Sequence, residues 1–174
     1  MNPGPMDLSE PKARLARGIA KILHDKGFTA YFAGGCVRDH LMGRKPQDFD
    51  IATTSKPEEV ERIFRKTIPV GKQFGVMIVL EEDVPFEVAT FRCEGGYQDG
   101  RHPTQVSFTQ PEEDAKRRDF TVNGMFYDPC AEKVIDFVGG LEDIPKKVIR
   151  AIGDPRARFE EDKLRLLRAV RFAS

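Results

Sequence analysis

Tryptophan, net charge and cysteine motifs are all missing from this sequence. Its three cysteines, Cys36, Cys93 and Cys130, are odd in number, scattered and without Cys-x-x-Cys spacing. That distribution argues against a disulfide framework or a zinc site and favours a reducing compartment. The 28 acidic and 28 basic residues cancel, so no overall electric field draws the chain to nucleic acid.

Long apolar runs are also absent. No stretch approaches the roughly 20 apolar residues of a membrane-spanning helix. The first residues, MNPGPMDLSEPKAR, lack the apolar core of a signal peptide. We therefore expect a cytoplasmic protein with no membrane partner. The 174 residues suffice for one domain with a substantial core.

Apolar periodicity and turn residues predict alternating helices and strands. A first helix is expected from near Ser9 to Gly27, followed by a buried strand over 28–33 and a short helix closed by Gly43. Capping pairs that begin further helices are predicted at Ser55 with Glu58 and at Thr109 with Glu112.

The second half of the chain is expected to begin with a β-hairpin over 71–91, turning at residues 82–83. Residues 92–104, RCEGGYQDGRHPT, are rich in glycine and polar residues, which predicts a mobile loop. Short strands around 126–129 and 133–137 precede a turn at Gly139 and Gly140. The last element, 155–174, is expected to be one continuous helix with an apolar stripe at Leu164, Leu167 and Val170.

A glycine pair follows the predicted strand 28–33. Gly34 and Gly35 would let main-chain amides approach a phosphate at the start of the next helix, where the helix dipole favours anions. Arg38, in the first turn of that helix, could bind a phosphate through its guanidinium fork. A plain turn is the alternative for a glycine pair taken alone.

Two carboxylates, Asp48 and Asp50, follow shortly after this glycine turn. Strand side chains alternate, so the Asp-x-Asp spacing places both carboxylates on one face. Mg²⁺ prefers a few carboxylates together with substrate phosphates, and the pair therefore predicts a magnesium site for nucleotide chemistry. The alternative is a solvated turn before an edge strand.

Glu87 is a third acidic candidate. It shares a face of the predicted strand PFEVATF with Ala89 and Phe91, an unusual place for a free carboxylate, because a buried charge needs a partner or a metal. An ion pair with Arg92 or Arg118 is the alternative.

Five motifs in this order, GGCVRD, DFDIAT, FEVATFR, RRDFTVNGM and EEDKLRLLRAVRF, resemble the class II tRNA nucleotidyltransferases and the related bacterial poly(A) polymerases. The resemblance implies an α/β polymerase-beta-like head with a mixed sheet flanked by helices. It divides the chain into an N-terminal helix (1–27), a catalytic head (28–153) and the start of a helical neck (154–174). The regions that hold RNA in this family would lie outside the chain.

The same resemblance implies roles for further residues. In RRDFTVNGM, Arg118 would contact the nucleotide, while Asp119 and Asn123 would contact its ribose. The alternative is a capping network within the helix. The resemblance also assigns Gly35 and Arg38 to nucleotide binding and Asp48 and Asp50 to the catalytic metals.

The last motif resembles the protein template of this family. Asp162 and Arg165 would accept from the amine of cytosine or adenine and donate to its ring acceptors, which selects CTP and ATP together. Arg168 and Arg171 would also contact the nucleotide. On a continuous helix, however, steps of three residues drift by about 60° each, which places Arg171 nearly opposite Asp162. A salt-bridge ladder on a solvated helix is the alternative.

The resemblance implies Mg²⁺-dependent addition of C, C and A to the 3′ end of tRNA from CTP and ATP. Residues 92–104 resemble a loop that helps such enzymes switch from C to A, and GKQFG is closer to their pattern than to that of poly(A) polymerases. Three alternatives stay open: a poly(A) polymerase, an enzyme that adds only CC or only A, and a non-catalytic fragment that binds nucleotide or RNA.

Overall fold

A seven-stranded mixed sheet forms the centre of the protein in a computed structural model, which describes residues 4–97 and 103–173. The strands lie in the order β3-β4-β5-β2-β1-β8-β9, and β6 pairs with β7 in a separate hairpin. The strand bounds are β1 Ala30–Ala33, β2 Asp50–Thr53, β3 Thr67–Gly71, β4 Val76–Glu81, β5 Val84–Thr90, β6 Arg92–Tyr97, β7 Pro103–Phe108, β8 Phe126–Asp128 and β9 Lys133–Ile135.

In the described part of the chain, seven α-helices flank these strands. They are α1 Pro11–Asp25, α2 Gly35–Leu41, α3 Pro57–Ile63, α4 Pro111–Arg117, α5 Gly140–Lys146, α6 Pro155–Glu161 and α7 Leu164–Ala173. The α/β fold with a mixed, helix-flanked sheet is thus confirmed. None of the helices in the described part of the chain combines the length and apolarity needed to cross a membrane.

The sheet buries apolar side chains on both faces because neighbouring residues of a strand point in opposite directions. On β1, Phe32 belongs to the larger core with residues of α1, whereas Ala33 belongs to a smaller core with Phe91 and Phe126. The larger core includes Ile19 and Leu23 of α1, both fully buried. The N-terminal helix therefore packs as part of the head.

Strand pairing determines where the functional motifs meet. β1 runs antiparallel to β2, so Ala33, just before the glycine turn, pairs with Asp50. β5 is the parallel neighbour of β2, with Val88 opposite Ile51, which places Glu87 beside Asp50. Ala33 also pairs with Phe126 of β8, close to the RRDFTVNGM motif. Four separate motifs thus converge at one end of the sheet.

The expected hairpin is confirmed in β4 and β5. Its turn residues Glu82 and Asp83 both have positive φ angles, 49° and 62°. This matches the two-residue turns whose twist suits adjoining antiparallel strands. The loop predicted for 92–104 is wrong over most of its length, since β6 and β7 pair there. Its remaining part, residues 98–102, lies outside the described residues.

Several predicted helix boundaries are shifted. The first helix begins at Pro11. The capping contact of α3 is one residue later than predicted, because the main-chain N–H of Lys56 donates to Glu59 at 2.7 Å. Likewise, α4 begins after Gln110. In each of these three cases a proline lies at the start of the helix, where its fixed φ is already helical and its missing N–H costs nothing.

Besides β6 and β7, two further elements were not predicted, and the last element was predicted wrongly. The sequence pattern missed β3 and α5, the second of which contains Pro145. The last element is two helices, since Asp162 has extended backbone angles, with φ −142° and ψ 103°, between α6 and α7. Leu164, Leu167 and Val170, expected as the apolar stripe, are 40%, 68% and 69% exposed.

Candidate active site

One cleft, about 570 Å³ in volume, gathers residues from every predicted motif except that of Glu87. The predicted residues that line it are Gly34, Gly35, Arg38, Asp48, Asp50, Arg118, Asp119, Asn123, Asp162, Arg165, Arg168 and Arg171. Its floor is the end of the sheet at which β1 ends and β2 begins, and α7 forms one wall. The break before α7 lets Asp162 and Arg171 line the same cleft, contrary to the expectation for a continuous helix.

The glycine turn connects β1 to α2 at this floor. Gly34 has φ +69°, a conformation that side chains with a Cβ rarely adopt. Its carbonyl accepts from the N–H of Arg38 at 3.1 Å, and the turn lies against the Arg118 guanidinium. A Cβ at Gly34 would come within 3.5 Å of that guanidinium. The turn therefore brings main chain, rather than side chain, to the cleft.

The two aspartates differ in their surroundings. Asp48 precedes β2 and is largely exposed, and Lys12 of α1 donates to its Oδ1 at 2.5 Å. Asp50 begins β2, and loss of hydration among its neighbours raises its pKa. The negative charge of Asp48 raises it further, while Arg118 and Lys12 oppose the shift. Phe49, between them, is buried, as the alternation of strand side chains requires.

Glu87 lies on β5 beside Asp50. Loss of hydration is the main cause that raises its pKa, and the charge of Asp50 adds to it. Among the described residues Glu87 has no ion pair, since Arg92 is paired with Glu94 and Arg118 with Asp114. Arg92 and Arg118 oppose the rise in the pKa of Glu87 through their charge, without forming the ion pair of the alternative. Glu87 is exposed, so the burial expected from its face of the strand is not found.

These three carboxylates supply the oxygen ligands that Mg²⁺ prefers. Their oxygen atoms are not gathered closely enough for all three to bind one ion as they stand. In the described part of the chain, no group of three metal-ligating side chains that includes them has its ligand atoms within 4.8 Å of one another. The charge of Asp50 raises the pKa of Glu87, so these two carboxylates repel each other. A divalent cation would remove that repulsion, so the chemistry of the donor set fits the metal.

A buried ion-pair network supports the cleft from below. Asp114 of α4 is 1% exposed, accepts from the main chain of Arg92 at 3.0 Å, and pairs with Arg117 and Arg118. Burial alone would raise the pKa of Asp114, but Arg118 and Arg117 outweigh it and lower the pKa overall. The Arg118 guanidinium also lies over the Phe126 ring, 5.0 Å from its centroid. Arg118 is therefore a rigid positive charge near Asp50.

A second network joins the RRDFTVNGM motif to both walls. Asp119 accepts from the Arg168 guanidinium at 2.8 Å, and Asn123 accepts from that of Arg38, also at 2.8 Å. Asn123 in turn donates to Asp119 at 3.4 Å. Arg38 is further fixed by Asp39. Asp119 and Asn123, the predicted ribose contacts, thus lie between the glycine turn and α7. Their hydrogen bonds extend to two other helices, so the network is not confined to one helix as the alternative proposed.

The predicted template pair, Asp162 and Arg165, lines the cleft without forming an ion pair. Asp162 accepts from the N–H of Leu164 at 3.0 Å and so begins α7. Arg165 is 6% exposed, and its guanidinium donates to the carbonyl of Arg158 and to Glu161. Contacts with α6 therefore fix the position of Arg165. The break between α6 and α7 interrupts the salt-bridge ladder that was the alternative for a single helix.

Sequence reasoning missed several residues of this site. No local sequence pattern indicated Lys12, Glu94 or Phe172. Lys12 and Glu94 form ion pairs with residues distant in sequence, which a local pattern does not record. The Phe172 ring lies 5.1 Å from the Arg38 guanidinium and 5.7 Å from that of Arg168. Arg117 lies in the RRDFTVNGM motif but was assigned no role, and Asp114 holds it at the cleft.

Comparisons with known proteins identify the family of this chain. Residues 30–150 match the family described as Poly A polymerase head domain. The chain is 52% identical over 157 residues to the CCA-adding enzyme of Bacillus subtilis strain 168, which covers 90% of this chain and 39% of that enzyme. It is 47% identical over 160 residues to that of Enterococcus faecalis, covering 91% and 39%.

Solved structures show the same likeness. The chain superimposes on the Bacillus stearothermophilus CCA-adding enzyme in complex with CTP with a TM-score of 0.85 and 44% identity, over 95% of this chain and 40% of that one. The Thermotoga maritima CCA-adding enzyme complexed with tRNA gives a TM-score of 0.72 and 28% identity, over 95% and 38%. This chain therefore spans about 40% of the length of such relatives, and it belongs to the poly A polymerase head domain family of nucleotidyltransferases.

Proposed function

We propose that this chain is the catalytic head of an enzyme that adds C, C and A to the 3′ end of tRNA from CTP and ATP. The observation that carries the proposal is the single cleft in which Asp50, the Gly34 turn and the Asp162–Arg165 wall meet. A carboxylate centre, a phosphate-binding turn and a base-reading pair are what template-independent nucleotide transfer requires. The likeness to CCA-adding enzymes supports the choice of substrate.

The triphosphate is expected to lie at the glycine turn. The positive φ of Gly34 keeps side chains away, so that main-chain amides can approach an anion. Arg38, fixed by Asp39 and Asn123, adds positive charge whose orientation is already set. Little conformational freedom is then lost on binding, which favours affinity.

Asp48, Asp50 and Glu87 are the proposed metal ligands. When bound, Mg²⁺ would activate the terminal hydroxyl of the RNA and neutralise the departing pyrophosphate. The role of the chain itself is to hold oxygen ligands on two adjacent parallel strands, β2 and β5. Lys12 compensates Asp48 until a divalent cation replaces it.

The nucleobase is expected to lie against the wall formed by the α6–α7 break. Asp162 and Arg165 present an acceptor and donors to the cleft, a pattern that suits cytosine and adenine but not uracil or guanine. Arg165 is held by Glu161 and by the Arg158 carbonyl, so its position is set before the base arrives. Asp119 and Asn123 would contact the ribose.

Nucleotide binding by this chain tests the first half of the proposal. Calorimetry with Mg²⁺ should show binding of CTP and ATP and at least about tenfold weaker binding of UTP and GTP, since a mismatched base leaves buried polar groups unpaired. Equal binding of all four nucleotides would contradict the assigned base-reading pair.

Product sequencing tests the second half. The chain is joined to the part of the Bacillus subtilis relative that lies outside the match, here called the extended protein. It is then incubated with tRNA lacking its 3′ CCA and with CTP, ATP or both. CCA ends from the mixture and CC ends from CTP alone are expected. Poly(A) tails from ATP alone would indicate a poly(A) polymerase, and CC from the mixture would indicate a CC-adding enzyme.

A further inference from the structure

Three metal-type ligands meet at the end of the sheet away from the cleft. His24 lies near the end of α1, Asp128 ends β8, and Cys130 lies in the turn before β9. One ligand atom of each lies within 4.8 Å of the others, the single such group in the described part of the chain. Asp128 continues β8 beyond Tyr127, which pairs with Phe32, and so lies away from the Ala33 end that faces the glycine turn.

The imidazole of His24 is already oriented as in many metal sites. Its Nε2 lies 2.9 Å from the carbonyl oxygen of Ala30, a distance that suits donation by an Nε2–H. The main-chain N–H of Ala30 also points at Nε2, at the longer distance of 3.3 Å, so the shorter contact favours the tautomer with its proton on Nε2 and a lone pair on Nδ1. Within the described residues Nδ1 has no hydrogen-bond partner. A histidine that binds a metal through one nitrogen commonly donates its other N–H to a carbonyl, which fixes the ring.

The carboxylate of Asp128 is oriented by the chain that follows it. Its Oδ1 accepts from the N–H groups of Cys130 and Ala131, each at 2.9 Å. Those bonds hold the carboxylate beside the Cys130 thiol and involve only one of its two oxygens. Oδ2 is the oxygen that can bind a cation. Cys130 itself is exposed and not in a disulfide, so its sulfur is accessible from solvent.

The surrounding charge favours a dication. Arg17 and Lys21 are the nearby cations that act on Cys130. Each has its own carboxylate, Glu132 at 3.6 Å and Asp25 at 2.7 Å respectively. Once these pairs cancel, Asp128 and a Cys130 thiolate leave two negative charges for the metal.

We propose that His24, Asp128 and Cys130 bind a borderline-soft divalent transition metal of the Zn²⁺ class. Nitrogen, oxygen and sulfur ligands in a group of three suit tetrahedral Zn²⁺ with water as the fourth ligand. As the metal–sulfur bond forms, the thiol proton leaves to solvent. The metal links the end of α1 to the β8–β9 turn, two segments far apart in sequence, and therefore stabilises the head.

Cobalt titration tests the site directly. Co²⁺ is added to the untagged, reduced chain in excess Mg²⁺, which occupies the carboxylates of the cleft. We expect one equivalent of Co²⁺ to bind with a sulfur-to-cobalt charge-transfer band, displaced by Zn²⁺. Carboxylates cannot produce that band. Its absence from the unaltered chain would overturn the proposal.

Three variants and one control assign the ligands. Cys130→Ser should abolish the band, and His24→Gln and Asp128→Asn should weaken binding at least about tenfold, the scale of losing a ligand or its support. Gln can still donate to Ala30, and Asn can still accept at Oδ1, so both should fold. Cys93→Ser is the matched control and should bind as the unaltered chain does. An unchanged band in Cys130→Ser, or unchanged affinity in either other variant, would exclude this site.

Thermal unfolding gives a second readout. Zn²⁺ at 100 times its dissociation constant should raise the Tm of the unaltered chain and of Cys93→Ser by roughly 5–10 °C. The same Zn²⁺ concentration should leave the Tm of Cys130→Ser nearly unchanged. An equal rise in all three would show that Zn²⁺ acts elsewhere and would overturn the proposal.

Discussion

The two walls of the cleft manage charge in opposite ways. On the sheet wall, Asp50 lines the cleft and Glu87 lies beside Asp50, and neither forms an ion pair among the described residues. Loss of hydration raises the pKa of both carboxyl groups, and the charge of Arg118 opposes both shifts only in part. On the helical wall, Arg165 is paired with Glu161 and Arg168 with Asp119. The sheet wall is thus electrostatically incomplete, as a cation site would be, whereas the helical wall is ordered by its own contacts.

Loss of hydration raises the pKa of Asp50 and Glu87 and so disfavours their charged forms, and a bound metal would offset that effect. The paired arginines of the helical wall have their positions fixed before a ligand arrives. Substitutions can test this contrast between the walls, beginning with the largest expected effect.

The largest effect is expected for Asp50→Asn in the extended protein. The substitution keeps the shape but removes the charge that holds the metal, and we expect nucleotide incorporation to fall about 10³-fold or more, on the scale of losing a key electrostatic group. Single-turnover incorporation of CTP measures it. Asp83→Asn, at the tip of the β4–β5 hairpin, is the control and should retain activity. Full activity in Asp50→Asn would refute the metal assignment.

Next comes Asp114→Asn, which removes the shared partner of Arg117 and Arg118. Because Asp114 is buried and Arg118 would keep a charge without its partner, we expect unfolding to become easier by about 3 kcal/mol. Urea denaturation of this chain measures the change. Glu113→Gln, exposed on the same helix and paired only with Lys116, should change stability by less than about 0.5 kcal/mol. Similar losses in both variants would contradict the assigned network.

A smaller effect of opposite sign is expected for Asp50→Asn on stability without metal. Since the folded pKa of Asp50 is raised, the folded state binds more protons than the unfolded state between the two pKa values. Asp50 therefore lowers stability as pH rises through that window. Because Asp50 is exposed, solvent screens much of this effect, and at pH 7 the variant should melt at most about 1–2 °C higher than the unaltered chain.

The gain should disappear as pH falls below the ordinary pKa of aspartate, where the carboxyl is protonated in both states. Glu87→Gln should behave in the same way, for the same reason. Thermal melts in chelator across pH measure both. A gain that grows toward low pH would reverse the assigned sign.

The smallest effect is expected on the outer face of α7. Leu167 is 68% exposed, so Leu167→Gln should change the free energy of unfolding of this chain by less than about 0.5 kcal/mol. Arg165→Gln, on the buried face, should cost about 1–3 kcal/mol because its bonds to Glu161 and the Arg158 carbonyl are lost. Equal losses would mean that the two faces of α7 are not distinguished in this chain.

Local patterns predicted two parts of the candidate site, and the resemblance to a family supplied the other candidate residues. The Asp-x-Asp spacing placed Asp48 and Asp50 on one side of Phe49, and the glycine pair predicted the turn at Gly34, because both depend only on backbone geometry. The bend between α6 and α7 was not predicted. Residues 155–174 are helical in composition throughout, and the extended backbone at Asp162 is compatible with tertiary contacts such as that between Arg158 and the Arg118 carbonyl.

The sequence by itself determined the chemistry available: which carboxylates, arginines and glycines exist, and which lie close along the chain. Which of them meet depends on the folded chain. Asn123 accepts from Arg38 at the cleft, and His24 meets Asp128 and Cys130 at the far end of the sheet. Strand pairing brings residues about 100 positions apart together, as Phe32 with Tyr127, and no local periodicity records that pairing.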